Sequence, residues 1–203
     1  MNKPPTLLKK LPSELQKHIK NNRHKYASFD LYVQDESRFG LKSYTGRMIT
    51  AKGVAPVCPF QHRFDNMYLF GAFPPLTGDS LLLELPYCNT DMFALFLEHL
   101  SQQKPDELKI IILDNGAFHK AARLGKPDSI EFIFLPPYSP GLNPAEMIWK
   151  YIKADMRNQV FRNLDELSGK ISLTIIKKLT PQNIKSITGW KLYLNLFKTN
   201  YDL

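Results

Sequence analysis

Acidic residues at the ends of predicted elements constrain this chain of 203 residues more than any other feature. The run 109–113 is short and apolar after its first lysine, as in a strand covered on both faces, and Asp114 follows it directly. Glu146 lies in the first turn of a helix predicted from about residue 144. A third acid, Asp35, ends another apolar run. Three carboxylates on three separate elements predict a site for divalent metal ions.

Each acid also has a purely structural explanation. Aspartate favours turns, so Asp35 and Asp114 taken singly say little about function. Glu146 follows Asn143 and Pro144 at the position where a glutamate can accept a hydrogen bond from the backbone N–H of the cap residue. The combination favours function, because strand ends and their loops are where side chains of an α/β sheet converge on a ligand.

The helix predicted over 144–160 carries two stripes at helical spacing. The apolar stripe is expected to face the core and consists of Trp149, Ile152, Met156 and Val160. The other stripe begins at Glu146 and continues with the cations Lys150, Lys153 and Arg157. One acid at the end of a basic track would suit a phosphate backbone lying along the helix, so these cations are candidate DNA contacts.

The net charge of +8 is unevenly distributed along the chain. Residues 1–25 and 150–203 are strongly basic, whereas acids outnumber bases over 26–149. Basic flanks around an acidic body favour binding to a polyanion, with an affinity that falls as salt rises. The alternative is that the lysines merely cover solvated faces, and charge alone does not decide between the two.

Other function classes are disfavoured. No run approaches eighteen apolar residues, and no secretory signal is visible, so we expect a cytoplasmic protein with no membrane partner, associated with the nucleoid when bound to DNA. Cys58 and Cys88 are far apart and belong to no metal-binding or redox spacing. Thiol chemistry and structural zinc are therefore not expected.

The order of elements predicts an α/β domain. We expect strands over 29–34, 41–49, 66–73, 80–85, 109–113 and 130–135, and helices over 11–20, 92–100, 144–160 and 164–179. This order fits a mixed sheet with helices on its faces. The length suits one well-packed domain.

Several motifs resemble the catalytic domain of the IS630/Tc1/mariner group of DDE transposases. The resemblance lies in 114–120 (Asp-Asn-Gly-Ala-Phe-His-Lys), 135–140 (Leu-Pro-Pro-Tyr-Ser-Pro), 142–146 (Leu-Asn-Pro-Ala-Glu) and Trp149. The segment 35–40 (Asp-Glu-Ser-Arg-Phe-Gly) resembles the surroundings of that group's first aspartate. The similar region covers roughly residues 25–165, and its specificity comes from the combination of motifs.

The resemblance implies a ribonuclease H-like fold and DNA cleavage and strand transfer with two Mg²⁺ or Mn²⁺ ions per active site. Asp35 would bridge both ions, Asp114 would complete one and Glu146 the other. His119 and Lys120 would contact the scissile phosphate or order the groups around the ligands, and a solvated loop is equally open for them. Arg38 could reach a phosphate or form an ordinary surface ion pair.

The catalytic domain would then span 26–165. A basic segment or linker helix, 1–25, would precede it, and a C-terminal helical extension, 166–203, would pack on the same domain. We assign Trp149 to packing, and Tyr138 to fixing its proline-rich loop.

The implied partners are transposon-end and target DNA, bound by a homodimer. Members of the group usually carry an N-terminal helix-turn-helix region, so a separate DNA-recognition protein of that kind is a further candidate partner. Two alternatives to a transposase stay open: a ribonuclease H-like nuclease without strand transfer, and a non-catalytic DNA-binding remnant.

Overall fold

A computed structural model describes residues 6–137 and 139–200. Its strands are β1 (Ser28–Gly40), β2 (Asn66–Phe73), β3 (Leu81–Leu85), β4 (Glu107–Leu113) and β5 (Ile130–Phe134). Its helices are α1 (Thr6–Asn22), α2 (Thr90–Gln102), α3 (Ala145–Lys153), α4 (Leu164–Lys178), α5 (Pro181–Thr188) and α6 (Lys191–Asn200). Single 3₁₀ turns follow β4, precede α3 and continue α3 as far as Met156.

The strands form one sheet in the order β3-β2-β1-β4-β5, which confirms the predicted mixed sheet. The central strand β1 runs antiparallel to β2 and parallel to β4. Its pairing with β4 ends where Val33 meets Ile112, whereas its pairing with β2 continues to Gly40. Beyond Val33, β1 is therefore unpaired on its β4 side, which leaves an opening beside Asp35.

Helices cover both faces of the sheet. Helix α2 packs its apolar side, including Phe93 and Phe96, against Tyr32 and Phe70 of the sheet. The other helices share the second core, to which α1 contributes Leu15. Residues from α3 to α6 in this core include Ile148, Ile152, Leu167, Ile171, Ile184 and Tyr193. The predicted division of the chain into 1–25, 26–165 and 166–203 stays a prediction.

The best predicted elements have the clearest local causes. All seven residues of β4 are buried, which explains its nearly continuous apolar sequence. Helix α2 begins where the Asn89 side chain accepts a hydrogen bond from the Met92 N–H at 2.9 Å. The strand over 66–73 is confirmed at both ends, and α4 ends one residue before the prediction.

The strand predicted over 41–49 is wrong. Within that segment, Leu41 is buried, but Met48 and Ile49 are exposed. The segment forms only an isolated bridge between Tyr44 and Arg157, because β1 takes β2 directly as its partner. The apolar residues of this segment resemble those of a strand, but in the described part of the chain no neighbouring strand pairs with it.

Three other boundaries differ from prediction by more than two residues. Helix α1 begins before the predicted residue 11, and the Ser13 hydroxyl donates to the Lys10 carbonyl inside the helix. Strand β1 continues through Asp35 rather than ending there. Helix α3 and its 3₁₀ turn end at Met156, so Val160 is 43% exposed and does not join the core stripe. No helix in the described ranges is long and apolar enough to cross a membrane.

Candidate active site

Asp35 is held in the middle of β1 by a tryptophan from the helix above it. Its Oδ2 accepts a hydrogen bond from the Trp149 indole N–H at 2.9 Å. Burial, followed by the nearby carboxylates of Glu36 and Glu146, raises the pKa of Asp35 well above its usual range. The site thus concentrates negative charge in a place where water screens it poorly.

Asp114 follows β4 at the edge of the opening beside β1. Its Oδ1 accepts a hydrogen bond from the Gly116 N–H at 2.8 Å, and its side chain is 62% exposed. A Cβ atom at Gly116 would lie about 3.1 Å from this oxygen, so a glycine permits the close turn. No hydrogen bond to Oδ2 of Asp114 is found among the described residues, which leaves that oxygen available to a ligand.

Glu146 is placed by the junction between β1 and α3. The buried Asn143 side chain donates to the Gln34 carbonyl at 2.8 Å and accepts from the Ala145 N–H at 3.1 Å. This side chain caps the helix and ties its start to the central strand. Within the described residues, no hydrogen bond joins the Asn143 N–H to the Glu146 carboxylate, so the capping alternative does not account for Glu146.

The three acids line one cleft of about 550 Å³. The other lining residues are Asn115, Gly116, Leu135, Pro136, Pro137, Ser139 and Asn143. The amide of Asn115 donates to the Leu135 carbonyl and so connects the ends of β4 and β5. The cleft therefore lies where the parallel strands end beside the start of α3.

The donor set of the cleft fits a hard divalent cation. Carboxylate oxygens are the ligands that Mg²⁺ and Mn²⁺ prefer, and a cation would relieve the repulsion between Asp35 and Glu146. As the side chains stand, no three acidic, histidine or cysteine residues in the described part of the chain form a group that could hold a metal ion. Asp114 and Glu146 are exposed at the cleft, so their side chains can rotate without disturbing the backbone.

A basic pocket of about 360 Å³ adjoins the cleft and shares Glu146 with it. Its lining includes the three cations of the predicted stripe, together with Tyr44, Thr45 and Trp149. Arg157 joins them although it lies beyond α3, because its backbone bridges to Tyr44. Lys153 lies over the Phe39 and Tyr44 rings, and burial lowers its pKa.

The other predicted DNA contacts are placed differently. Arg38 is exposed on β1, and Lys120 is exposed with its ammonium bonded to Asn115 and lying 4.7 Å from the centre of the Phe134 ring. His119 is only 3% exposed, so it has no open face for a phosphate. Tyr138 lies outside the described residues.

Residues 30–168 match the DDE superfamily endonuclease family, which is more than half of the chain. The chain belongs to this family of DDE endonucleases. A relative from Sinorhizobium fredii, "Uncharacterized protein y4pE/y4sA", is 35% identical over 102 residues, covering 49% of this chain and 76% of that protein. The predicted membership in the DDE group is thereby confirmed.

Solved structures of Mos1 transposase share the fold of this DDE endonuclease. The Mos1 paired-end complex with the left transposon end matches all of the chain with a TM-score of 0.63 and 15% identity. The isolated catalytic domain of Mos1 mariner transposase matches with a TM-score of 0.58 and 13% identity, over 96% of that domain. The chain spans 63% of the Mos1 chain in the paired-end complex. These matches confirm the predicted ribonuclease H-like fold. Mos1 paired-end complexes have also been determined with Mn and with Mg.

Sequence reasoning missed the residues that support the acids. Its assignment of Trp149 to packing is incomplete, because the indole also donates to Asp35. Asn143 connects α3 to β1, and Glu36 contacts His119 behind the cleft. These partners are separated by more than 80 positions, so no local pattern could connect them.

Proposed function

We propose that this DDE endonuclease cleaves DNA strands and joins them to target DNA, using two Mg²⁺ or Mn²⁺ ions held by Asp35, Asp114 and Glu146. The observation that carries the proposal is that these three acids, one from β1, one after β4 and one on α3, line a single cleft. The ions, when bound, would activate water or a DNA 3′-hydroxyl and stabilise the leaving oxygen of an in-line displacement.

The chain's own residues would position the reactants. Asp35, fixed by Trp149, supplies a carboxylate from a rigid strand, whereas the exposed Asp114 and Glu146 close on the site from its two sides. No covalent intermediate with the protein is required.

DNA would run from the cleft into the adjoining basic pocket. Lys150, Lys153 and Arg157 line that pocket beside Glu146, so a strand whose scissile phosphate lies among the acids can place its next phosphates against these cations. Arg38 and Lys120 are exposed and would add contacts from β1 and from the turn after β4. Two chains would act together when two DNA ends are joined, and a separate helix-turn-helix protein could supply end recognition.

The test is Mn²⁺-dependent nicking of supercoiled plasmid by the wild type and by Asp114→Asn. This variant keeps the side-chain shape but removes a negative ligand. Asp106→Asn is the matched control, because Asp106 is an exposed aspartate at the opposite end of β4. We expect nicking by the wild type and the control only. Equal nicking by all three proteins, or none by the wild type, would refute the proposed metal centre.

A second assay separates the transposase from a ribonuclease H-like hydrolase. Pre-cleaved DNA ends with free 3′-hydroxyls are incubated with Mn²⁺, protein and target plasmid. Covalent joining of ends to plasmid is expected for a transposase, whereas nicking without joining would favour the hydrolase.

A further inference from the structure

Two buried side chains lie directly behind the cleft. The His119 and Glu36 side chains are 2% and 9% exposed, and Nε2 of the imidazole lies 3.0 Å from Oε1 of the glutamate. The second ring nitrogen, Nδ1, lies 3.0 Å from Oδ1 of Asp114. The imidazole therefore connects a buried carboxylate to an exposed carboxylate of the cleft.

The ring itself is fixed by packing. Its centre lies 4.1 Å from that of Phe118 and 4.5 Å from that of Phe93 on α2. Glu36 is fixed as well, since its Oε1 also accepts a hydrogen bond from the Gln34 amide at 2.8 Å. The imidazole ring is thus held by Phe118 and by Phe93 of α2, and the Glu36 carboxylate is held by Gln34 of the same strand.

The contact with Asp114 is short but not aligned. The angles at Nδ1 do not meet those of a hydrogen bond, so this buried nitrogen has no hydrogen-bond partner as the side chains stand. Asp114 is mostly exposed and can turn toward the ring, while Oδ1 also keeps its bond from the Gly116 N–H. In that arrangement Oδ1 would accept from both the Gly116 N–H and the ring Nδ1–H, which would leave Oδ2 free for a ligand in the cleft.

Alternation along β1 explains how one segment serves both sides of the site. Successive side chains of a strand point to opposite faces, so Asp35 faces Trp149 and α3 while Glu36 faces His119 and α2. The two adjacent acids therefore differ in position. Asp35 lines the cleft, whereas Glu36 contacts His119 behind it.

We infer that Glu36 and His119 are positioning residues for metal binding, with Glu36 orienting His119 and His119 orienting Asp114. The inference rests on the proposed function, because it treats Asp114 as a metal ligand. Partners that orient a ligand from behind typically change metal affinity by roughly 10–100-fold when they are removed. A structural core histidine would change stability without changing metal affinity.

The test measures Mn²⁺ binding to the full chain by electron paramagnetic resonance of free Mn²⁺. The variants are Glu36→Gln, His119→Gln and the double variant, with His99→Gln as control. His99 is exposed on α2, and its Nδ1 lies 2.9 Å from the Leu95 carbonyl of the same helix. We expect each single variant to weaken Mn²⁺ binding by roughly tenfold or more. The double variant should bind Mn²⁺ with about the same affinity as the weaker-binding single variant, because Glu36 acts through His119.

Two further readouts distinguish a role in metal binding from direct contact with DNA. In the plasmid assay, the Mn²⁺ concentration for half-maximal nicking should rise in the variants, while the rate at saturating Mn²⁺ returns close to that of the wild type. Metal-free DNA binding should not change. A fall in DNA affinity with unchanged Mn²⁺ affinity would make His119 a DNA contact and overturn the inference.

The outcomes separate this inference from the proposed function. If the wild type neither binds Mn²⁺ nor nicks DNA, both fail. If the wild type binds Mn²⁺ and the variants bind it equally well, only the positioning role fails. Melting curves check that each variant folds, and if His119→Gln does not fold, the nearly isosteric Glu36→Gln decides the question by its half-maximal Mn²⁺ concentration.

Discussion

The Trp149 indole N–H donates a hydrogen bond to Oδ2 of Asp35 at 2.9 Å across 114 positions of sequence. Trp149 is 2% exposed and packs edge-on against Phe73 of β2, with ring centres 5.5 Å apart. The helix that carries Glu146 is therefore locked to the strand that carries Asp35 by a buried aromatic side chain. The distance between the two elements cannot change without breaking this packing.

Replacing Trp149 with Phe should reduce activity more than stability. The variant keeps an aromatic ring against Phe73 but removes the donor to the Asp35 carboxylate, a hydrogen bond to a charged group worth about 1.5–3 kcal/mol. We expect nicking to slow by roughly tenfold or more, since each 1.36 kcal/mol corresponds to a factor of ten in rate. Plasmid nicking and urea unfolding measure the two effects.

Trp190→Phe is the matched control for this variant. In the wild type, Trp190 lies between α5 and α6, and its indole N–H donates to the Ile187 carbonyl at 3.1 Å. The control variant should lose comparable stability and retain full nicking activity. Equal losses of activity in both variants would mean that general destabilisation, and not the bond to Asp35, is responsible.

Asp30 should make the fold less stable as the pH rises. Burial raises the pKa of this carboxyl to about 6 in the folded chain, although hydrogen bonds from the Leu31 N–H and the Thr77 hydroxyl partly oppose the rise. A group with a raised folded pKa stabilises the fold when protonated, so this contribution is complete below about pH 4 and is lost as the pH rises through about 6. The difference between this pKa and the usual pKa of an aspartate corresponds to about 3 kcal/mol of stability.

The variant Asp30→Asn should therefore be more stable than the wild type at pH 8 and about equal to it at pH 4. Urea unfolding at several pH values measures the difference. Asp65→Asn serves as control, because Asp65 is half-exposed and paired with Arg63. If Asp30→Asn has the same pH dependence as the wild type, Asp30 is not the group responsible.

Divalent cations should stabilise the wild type and not Asp35→Asn. Without metal, the buried Asp35 carboxylate is repelled by Glu36 and Glu146, so removing its charge should raise the melting temperature at pH 8. Adding Mg²⁺ should raise the melting temperature of the wild type by a few degrees, at about 2–4 °C per kcal/mol of binding energy.

Melting curves with Mg²⁺ and then with excess EDTA provide the comparison. Asp106→Asn should respond to Mg²⁺ as the wild type does. A Mg²⁺ response that persists in Asp35→Asn would place the cation elsewhere on the chain.

The cations of the basic pocket should determine how steeply DNA binding depends on salt. Each phosphate that is no longer neutralised should reduce the slope of log K against log salt by about 0.9. We expect Lys150→Gln and Arg157→Gln each to weaken binding and to flatten this slope. Fluorescence anisotropy with labelled duplex DNA measures both quantities.

Lys177→Gln on α4 is the control for these variants, because Lys177 is exposed and does not line the pocket. It should change the slope less than either pocket variant. An equal change in all three variants would indicate that DNA samples the whole basic surface.

The predictable parts of the fold are those where sequence and burial coincide. Strand β4 is buried on both faces, so its apolar run is sufficient to identify it. Strand β1 is predictable only to Gln34 because its remaining residues are largely polar. Their strand geometry comes from pairing with β2, which no local pattern reveals.

The acids of the candidate site can be predicted from the sequence, whereas the residues that hold these acids in place cannot. Asp35, Asp114 and Glu146 stand out because each adjoins a predicted element, and the family resemblance groups them. The burial of His119 depends on Phe93 from a helix more than 20 residues earlier, so the loop sequence alone suggests an accessible side chain. A polar residue beside a motif can therefore be interior for reasons that lie far away in the chain.

The parallel pairing of β1 with β4 also has a consequence for synthesis on the ribosome. Leu31 pairs with Ile110, so the central contacts of the sheet close a long loop and form late in folding. A nascent chain that has emerged only as far as the turn after β4 already contains Asp35 and Asp114. It lacks the tryptophan that holds the first acid and the helix that brings the third. The nuclease that we propose would stay inactive until translation has passed α3, which protects nearby nucleic acid from an unfinished enzyme.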